Sequence, residues 1–333
     1  MIHKILICIA IVAISLATMA AWAWRDYRQF ADAPLMESGV STLWVRPGDT
    51  MGSLVARLDQ LGLAKPGWHW RLLARFEQPV IKAGEYRLGP GESPTSLLAR
   101  LHEGDVVRHS FTIVEGWNLA RLRNEFEQDS RLRSETADLA PEALMVRLGC
   151  PDCFAEGWFL PETYQFVRGD SDMDLLERAH RGMREALSAI WAERAADLPV
   201  ETPEELLVLA SLVELEAVVA EERAQVAGVF VRRLERGMRL QTDPTVVYGI
   251  TGDFDGRIRR VHLRTDHPWN TYTRHGLPPT PIALPGRASM TAAADPADGE
   301  TLYFVARGDG THHFSATLAE HNRAVARYIL GRE

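Results

Sequence analysis

Apolar positions divide the chain into stretches of different period, and each period predicts a different element. Ile5–Trp24 is apolar or small throughout and carries no charge. About 20 such residues match the thickness of a bilayer core. Leu206–Ala220, LLVLASLVELEAVVA, shows no strand alternation and has room for about four helical turns. A helix that is apolar all round belongs inside a sizeable domain. Shorter helices are read over Trp68–Phe76, Asn118–Phe126, Pro141–Leu148, Asp172–Arg194, Glu221–Arg236 and Leu318–Leu330. Thr301–Ala306 reads as a strand, Gly308-Asp309-Gly310 as a hairpin turn, and the residues through Phe314 as the partner strand.

Two segments repeat. Pro47–Leu58 is PGDTMGSLVARL and Pro90–Leu101 is PGESPTSLLARL, identical at seven of twelve positions. In each, a Pro-Gly turn leads through an acid and a hydroxyl residue into a short amphipathic helix, a sequence of capping residues. Short apolar stretches precede both turns, so the unit is strand–turn–helix, twice, with the Trp68–Phe76 helix between. This part resembles a small LysM-like module, a fold often used to grip N-acetylglucosamine polymers.

Composition narrows the field. With 333 residues, 46% hydrophobic and 25% charged, the chain is globular once its first segment is set aside. A net charge of −8 argues against a nucleic-acid surface, which needs concentrated positive charge. There is no phosphate-binding glycine loop and no HExxH. Cys8 lies in the apolar run, where no chemistry is expected of it. Cys150 and Cys153 leave three readings: a short disulfide, half of a zinc site, or two free thiols. The disulfide is favoured, since no second CxxC or neighbouring His completes a metal site. A cleaved signal peptide competes with a retained anchor for the N-terminal run, because Ala21-Trp22-Ala23 fits a cleavage site. The length of the run favours the anchor.

The central run carries two acids, Glu214 and Glu216. At helical spacing they point about 200° apart, so both cannot face one cleft. Glu214 has Leu207, Ala210, Ala217 and Val218 as its i±3 and i±4 neighbours, and an aliphatic setting raises a carboxyl pKa. It is therefore the expected proton donor, against the alternative of a buried acid tied to a cation. Beyond Arg236 the chain becomes loop-like and rich in hydrogen-bonding groups, as binding sites on a rigid scaffold commonly are. Gln241, Asp243, Asn270, Tyr272 and Thr273 are the expected ligand-contacting or orienting groups, with Glu162 and Glu222 as weaker ones; a loop-structuring role is the alternative for each. His312, His313 and His321 read as a solvated hairpin and helix face, and no metal is expected.

Together these residues resemble the MltG/YceG-like family of endolytic murein transglycosylases. The likeness runs through Ala210-Ser211-Leu212-Val213-Glu214-Leu215-Glu216, Glu222-Arg223, Gly237–Thr245, Asn270-Thr271-Tyr272, Gly276-Leu277-Pro278-Pro279 and Glu320-His321-Asn322, with Glu156-Gly157 and Leu160–Tyr164 upstream. Arg232, Trp269 and Thr280 depart from the family pattern, which usually has Asn, Tyr and Gly there. The resemblance implies an α+β protein with a single transmembrane helix (residues 1–24), a juxtamembrane linker (25–42), a LysM-like βααβ module (43–107) and a mixed α/β catalytic domain with a buried central helix (108–333). It implies a bacterial inner-membrane enzyme with its catalytic part in the periplasm and no cofactor. That enzyme cuts the MurNAc-β-1,4-GlcNAc bond of peptidoglycan strands to leave 1,6-anhydro ends, with Glu214 as acid and base, and trims or terminates nascent strands. Glycan strands and the membrane are the expected partners, peptidoglycan synthases further ones, and nucleic acid is not. A muramidase using a second carboxylate, Asp243 or Glu216, and a non-catalytic wall-binding adaptor are the rival readings.

Overall fold

The structure is a computed structural model that describes residues 2–250 and 254–331. The chain forms two compact units: Met1–His109 with Gln165–Asp170, and Ser110–Tyr164 with Ser171–Glu333.

The first unit opens with α1, Ile2–Asp32, a helix long and apolar enough to cross a membrane. It runs eight residues past Trp24, so the start of the expected linker is helical. Its last turns are amphipathic: Tyr27 and Ala31 are buried in the core of the unit, and Ala31 O accepts a 3.0 Å hydrogen bond from the Thr95 hydroxyl. Then follow β1 (Ser41–Val45), α2 (Met51–Gln60), α3 (Trp68–Glu77), β2 (Gly84–Leu88) and α4 (Pro94–Glu103). The strands pair antiparallel, Ser41 opposite Leu88 and Val45 opposite Gly84.

The sequence repeat becomes a repeat of hydrogen bonds. Thr50 and Ser93 cap α2 and α4, each in a reciprocal box with the serine three residues on, Ser53 and Ser96. Asp49 and Glu92 accept from those serines and pair with Arg57 and Arg100, both at 2.6 Å. Gly48 and Gly91 enter the turns at φ +82° and +84°, a conformation side chains rarely adopt. Leu54, Val55 and Leu58 of α2 then match Leu97, Leu98 and Leu101 of α4 in one core with Leu43, Trp70 and Tyr86.

β3 (Arg108–Thr112) pairs with β4 (Thr163–Val167). The second unit is mainly helical: α5 (Leu119–Gln128), α6 (Pro141–Arg147), α7 (Asp172–Ala192) and α8 (Pro203–Glu216). A 3₁₀ turn, Ala220–Glu222, leads into α9 (Arg223–Glu235), and α10 (Asp243–Gly249), α11 (Arg260–Arg264) and α12 (Arg287–Ala294) follow. A hairpin of β5 (Tyr303–Ala306) and β6 (His312–Ser315) precedes α13 (Leu318–Tyr328). Cys150 and Cys153 are joined by a disulfide after α6.

Helix α8 is the central run. Thr202 caps it, Pro203 opens it, and Glu204 and Glu205 sit in its first turn, where the dipole favours negative charge. Every residue from Leu206 to Val213 is buried, against α7, α9, α10 and α12. Each buried Leu or Val there contributes about 1.5–3 kcal/mol. The helix ends at Glu216, because Ala217 turns extended at φ −87°, ψ 91°, four residues before the apolar run does. The β-branched pair Val218-Val219 favours that exit.

Candidate active site

The early end of α8 decides which glutamate meets a cleft. Glu216, the last helical residue, lines a cavity of about 480 Å³ whose walls include Gln241, Asp243, Tyr272, Arg233, Tyr303 and His312. Three of the residues expected to contact sugar therefore converge on Glu216. Glu214 is not among the lining residues.

The far wall is assembled by hydrogen bonds between distant segments. Gln241 is held at φ +52°, in the left-handed region, a strain of about 1–3 kcal/mol for a side chain of this kind. Its N–H donates to Thr271 O at 3.2 Å. The Thr242 N–H donates to the Thr271 hydroxyl at 3.1 Å, and the Thr245 hydroxyl is 2.8 Å from that of Thr271. This clasp aims the Thr242 hydroxyl at Glu216 Oε1, to which it donates a short hydrogen bond. Asp243 begins α10, and its Oδ1 accepts from the Tyr272 hydroxyl at 2.6 Å. Arg233, 7% exposed, ties the remaining wall together: Nε donates to Leu302 O and Nη1 to Leu240 O, both at 2.7 Å.

Burial raises the Glu216 pKa above the ordinary carboxylate range, and the negative charge of Asp243 raises it further; the Thr242 hydrogen bond and His312 pull the other way. Glu216 has no Lys or Arg ion pair among the described residues, so burial wins. The result is a carboxyl that binds its proton more tightly than an ordinary carboxylate does, beside the cavity. The phenol of Tyr272 is raised by burial and by Asp243, so it stays a hydrogen-bond donor.

Glu214 has a structural setting. Its Oε2 accepts the Gly286 N–H at 2.8 Å, at the N-cap of α12. Glu115 lies beside it, its pKa raised by burial and by the charge of Glu214. A Cβ at position 286 would stand 1.8 Å from Glu115 Oε1, so a side chain there would push the Glu115 carboxyl aside. Negative charge there complements the helix dipole.

Among the described residues no group of three or more His, Cys, Asp or Glu side chains converges as a metal site requires. A larger cavity, about 750 Å³, lies between α7 and the start of α8, but its carboxyls, Glu185 and Glu204, are exposed.

Residues 43–327 match the model of the YceG-like family. The chain belongs to the YceG-like family. An endolytic murein transglycosylase of Bacillus subtilis is 31% identical over 269 residues, covering 76% of this chain and 74% of the relative. A Streptococcus pneumoniae protein of the same description is 28% identical, covering 94% of this chain and 64% of its own. The crystal structure of a YceG-like protein from Listeria monocytogenes shares the fold, with a TM-score of 0.51 and 24% identity over 85% of this chain and 98% of that one.

In this YceG-like chain the other expected site residues lie apart from the cavity lining. Asn270 is fully buried: its Nδ2 donates to Thr265 O at 2.7 Å and its Oδ1 accepts the Tyr272 N–H at 2.9 Å, which shapes the turn carrying Tyr272. The Thr273 hydroxyl donates to Asp266 at 2.8 Å. Glu162 pairs with Arg287 at 3.2 Å on the surface. Glu222 stands behind the wall, paired with His312 Nδ1 at 2.8 Å. His312 itself is a correction: it is buried and lines the cleft rather than facing solvent, because the β5–β6 hairpin packs against α9 and α13. Trp269 and Thr280, two departures from the family pattern, are bonded to each other at 2.9 Å. Thr242, Arg233 and Tyr303 were not among the expected site residues, although Thr242 lies within the Gly237–Thr245 stretch that carries the family likeness.

Proposed function

We propose that this protein is a peptidoglycan lyase, an endolytic transglycosylase like its named relatives, and that Glu216 rather than Glu214 is its general acid and base. The observation that carries this reading is the raised carboxyl of Glu216, without a Lys or Arg ion pair among the described residues, heading a cavity lined by Gln241, Asp243 and Tyr272. Glycoside hydrolysis ordinarily needs two carboxylates, one on each side of the scissile bond. A transglycosylase needs one, because the substrate brings its own nucleophile: the muramic acid C6 hydroxyl attacks C1 of the same residue. Attack within one sugar gains from proximity, with effective molarities up to about 10⁵–10⁸ M. Protonated Glu216 gives its proton to the glycosidic oxygen as the bond to C1 breaks. The resulting carboxylate then accepts the proton of the C6 hydroxyl as the 1,6-anhydro bond closes, which restores the acid. The Thr242 hydroxyl stabilises the carboxylate between these steps, and Asp243, held by Tyr272, faces the positive charge that develops at C1.

The repeat-built first unit, with its β1–α2–α3–β2 order, fits a LysM-like grip on the same strand, and α1 fits a single-pass anchor with the remainder in the periplasm. Peptidoglycan synthases are the protein partners this placement would serve.

A hydrolytic reading also has an observation behind it, since Asp243 shares the cavity with Glu216. Mass spectrometry of the muropeptides released from sacculi separates the two. Anhydro ends are expected from the full chain and none from Glu216→Gln; ends that have gained water would establish a hydrolase instead. Binding to sacculi with no released product would leave only an adaptor.

A further inference from the structure

The cavity at Glu216 is one of three strung along α10. Asp243 lines it and also a second cavity of about 380 Å³, together with Leu215, Pro244 and Val247. Tyr248 lines the second and also a third of about 390 Å³, with Phe154, Glu156, Trp269 and Thr280. Asp243 and Val247 are spaced as i and i+4 on one face of this short helix, and Tyr248 lies about 100° round from Val247, so the three spaces follow one another around α10. Each volume falls within the range of about 300–1,000 Å³ usual for small-ligand sites.

The third cavity is equipped for a ligand with both apolar faces and hydroxyls. Tyr248 and Trp269 meet edge to face, centroids 5.4 Å apart, and the Trp269 indole is fixed by its hydrogen bond to Thr280. Phe154 stands 60% exposed at the rim of this cavity. Glu156 accepts the Leu119 N–H at 3.0 Å and the Tyr248 hydroxyl at 3.2 Å. Burial pushes its pKa up to about 7, so near neutrality it is divided between a form that donates and one that only accepts.

We infer that the third cavity is a distal saccharide subsite of the same cleft: Phe154, Tyr248 and Trp269 face the apolar side of a pyranose, and the Glu156 carboxyl bonds one of its polar substituents. The inference rests on the glycan-cleaving reading and deepens it, making the substrate a strand long enough to reach from Glu216 to Glu156. Aromatic rings suit this task because they combine apolar area with fixed geometry. Contacts so far from the scissile bond lend binding energy to orientation at the reacting centre.

The test uses the full chain carrying Glu216→Gln, titrated by calorimetry with peptide-free GlcNAc–MurNAc oligosaccharides of increasing length. Affinity is expected to climb with length until the third cavity is filled. Adding Phe154→Ala, at an exposed ring, or Tyr248→Phe, which deletes one hydroxyl, is expected to lower the long-to-short affinity ratio about tenfold. An unchanged ratio, equal losses at every length, or no length dependence in the parent would overturn the subsite. Anhydro-product formation by the unsubstituted chain is scored separately, so the reaction can fail while the length dependence stands, and the reverse.

Discussion

The repeat-built unit and the cleft-bearing unit both set carboxylates at helix ends, and they treat them in opposite ways. Asp49, before α2, receives the Arg57 guanidinium, the Arg46 N–H and the Ser53 hydroxyl, and its pKa falls to about 2. Glu216, at the end of α8, receives one threonine hydroxyl and no Lys or Arg cation, and burial drives its pKa up. The first arrangement makes a permanent anion that organises local structure. The second raises the carboxyl's affinity for its proton. What separates them is the supply of cationic partners and water, since the functional group is the same.

A large effect on stability is expected of another raised acid of the second unit. Glu156 is lifted from 4.5 to about 7 by burial. The folded chain holds this proton more tightly than the unfolded one, so the stability it confers is complete below pH 4.5 and is lost as pH rises through 7. Chemical denaturation of the full chain should register a loss of up to about 3 kcal/mol across that window, and Glu156→Gln should flatten it. A rise in stability over the same range would mean that Glu156 is charged in the fold.

Thr242→Val comes next. Loss of the hydrogen bond that favours the Glu216 carboxylate should slow turnover about tenfold, a charged hydrogen bond being worth about 1.5–3 kcal/mol. It should also move the alkaline limb of the pH–rate profile to higher pH, because the Thr242 contribution lowers the Glu216 pKa. A limb that stays in place would detach Thr242 from the reacting acid.

In the first unit the effects are smaller and paired. Thr50→Ala and Ser93→Ala each remove an equivalent cap and should each cost about 1 kcal/mol in thermal unfolding. Unequal losses would show that the repeat is not energetically symmetric. Asp49 contributes stability above its unfolded pKa of 3.8, lost as pH falls through about 2. Asp49→Asn should abolish that acid-side loss, which solvent screening holds below about 1 kcal/mol.

The same contrast explains what could be read from the sequence. The repeat was legible because its caps, turns and ion pairs join residues within about two helical turns, and because seven of twelve positions recur. Helix α8 was legible from its all-round apolar run. The choice between Glu214 and Glu216 was not, since both sit in that run and neighbours at i±3 and i±4 describe only the helix itself. Gly286, 72 residues on, engages Glu214, whereas Thr242, 26 residues on, engages Glu216. Asn270 read as a sugar ligand because buried turn-shaping and exposed binding draw on the same amide chemistry. His312 read as solvated because the hairpin alternation does not reveal which face α9 and α13 cover.

One measurement bears most directly on the assignment: the initial rates of Glu216→Gln and Glu214→Gln on the same uncrosslinked glycan, each matched to the unsubstituted chain for thermal stability. Removing an acid–base catalyst typically slows a reaction about 10²–10⁴-fold. A loss of that size is expected for Glu216→Gln alone, with Glu214→Gln keeping its rate to within about tenfold. The opposite pattern, an intact rate for Glu216→Gln and a lost one for Glu214→Gln, would contradict the account.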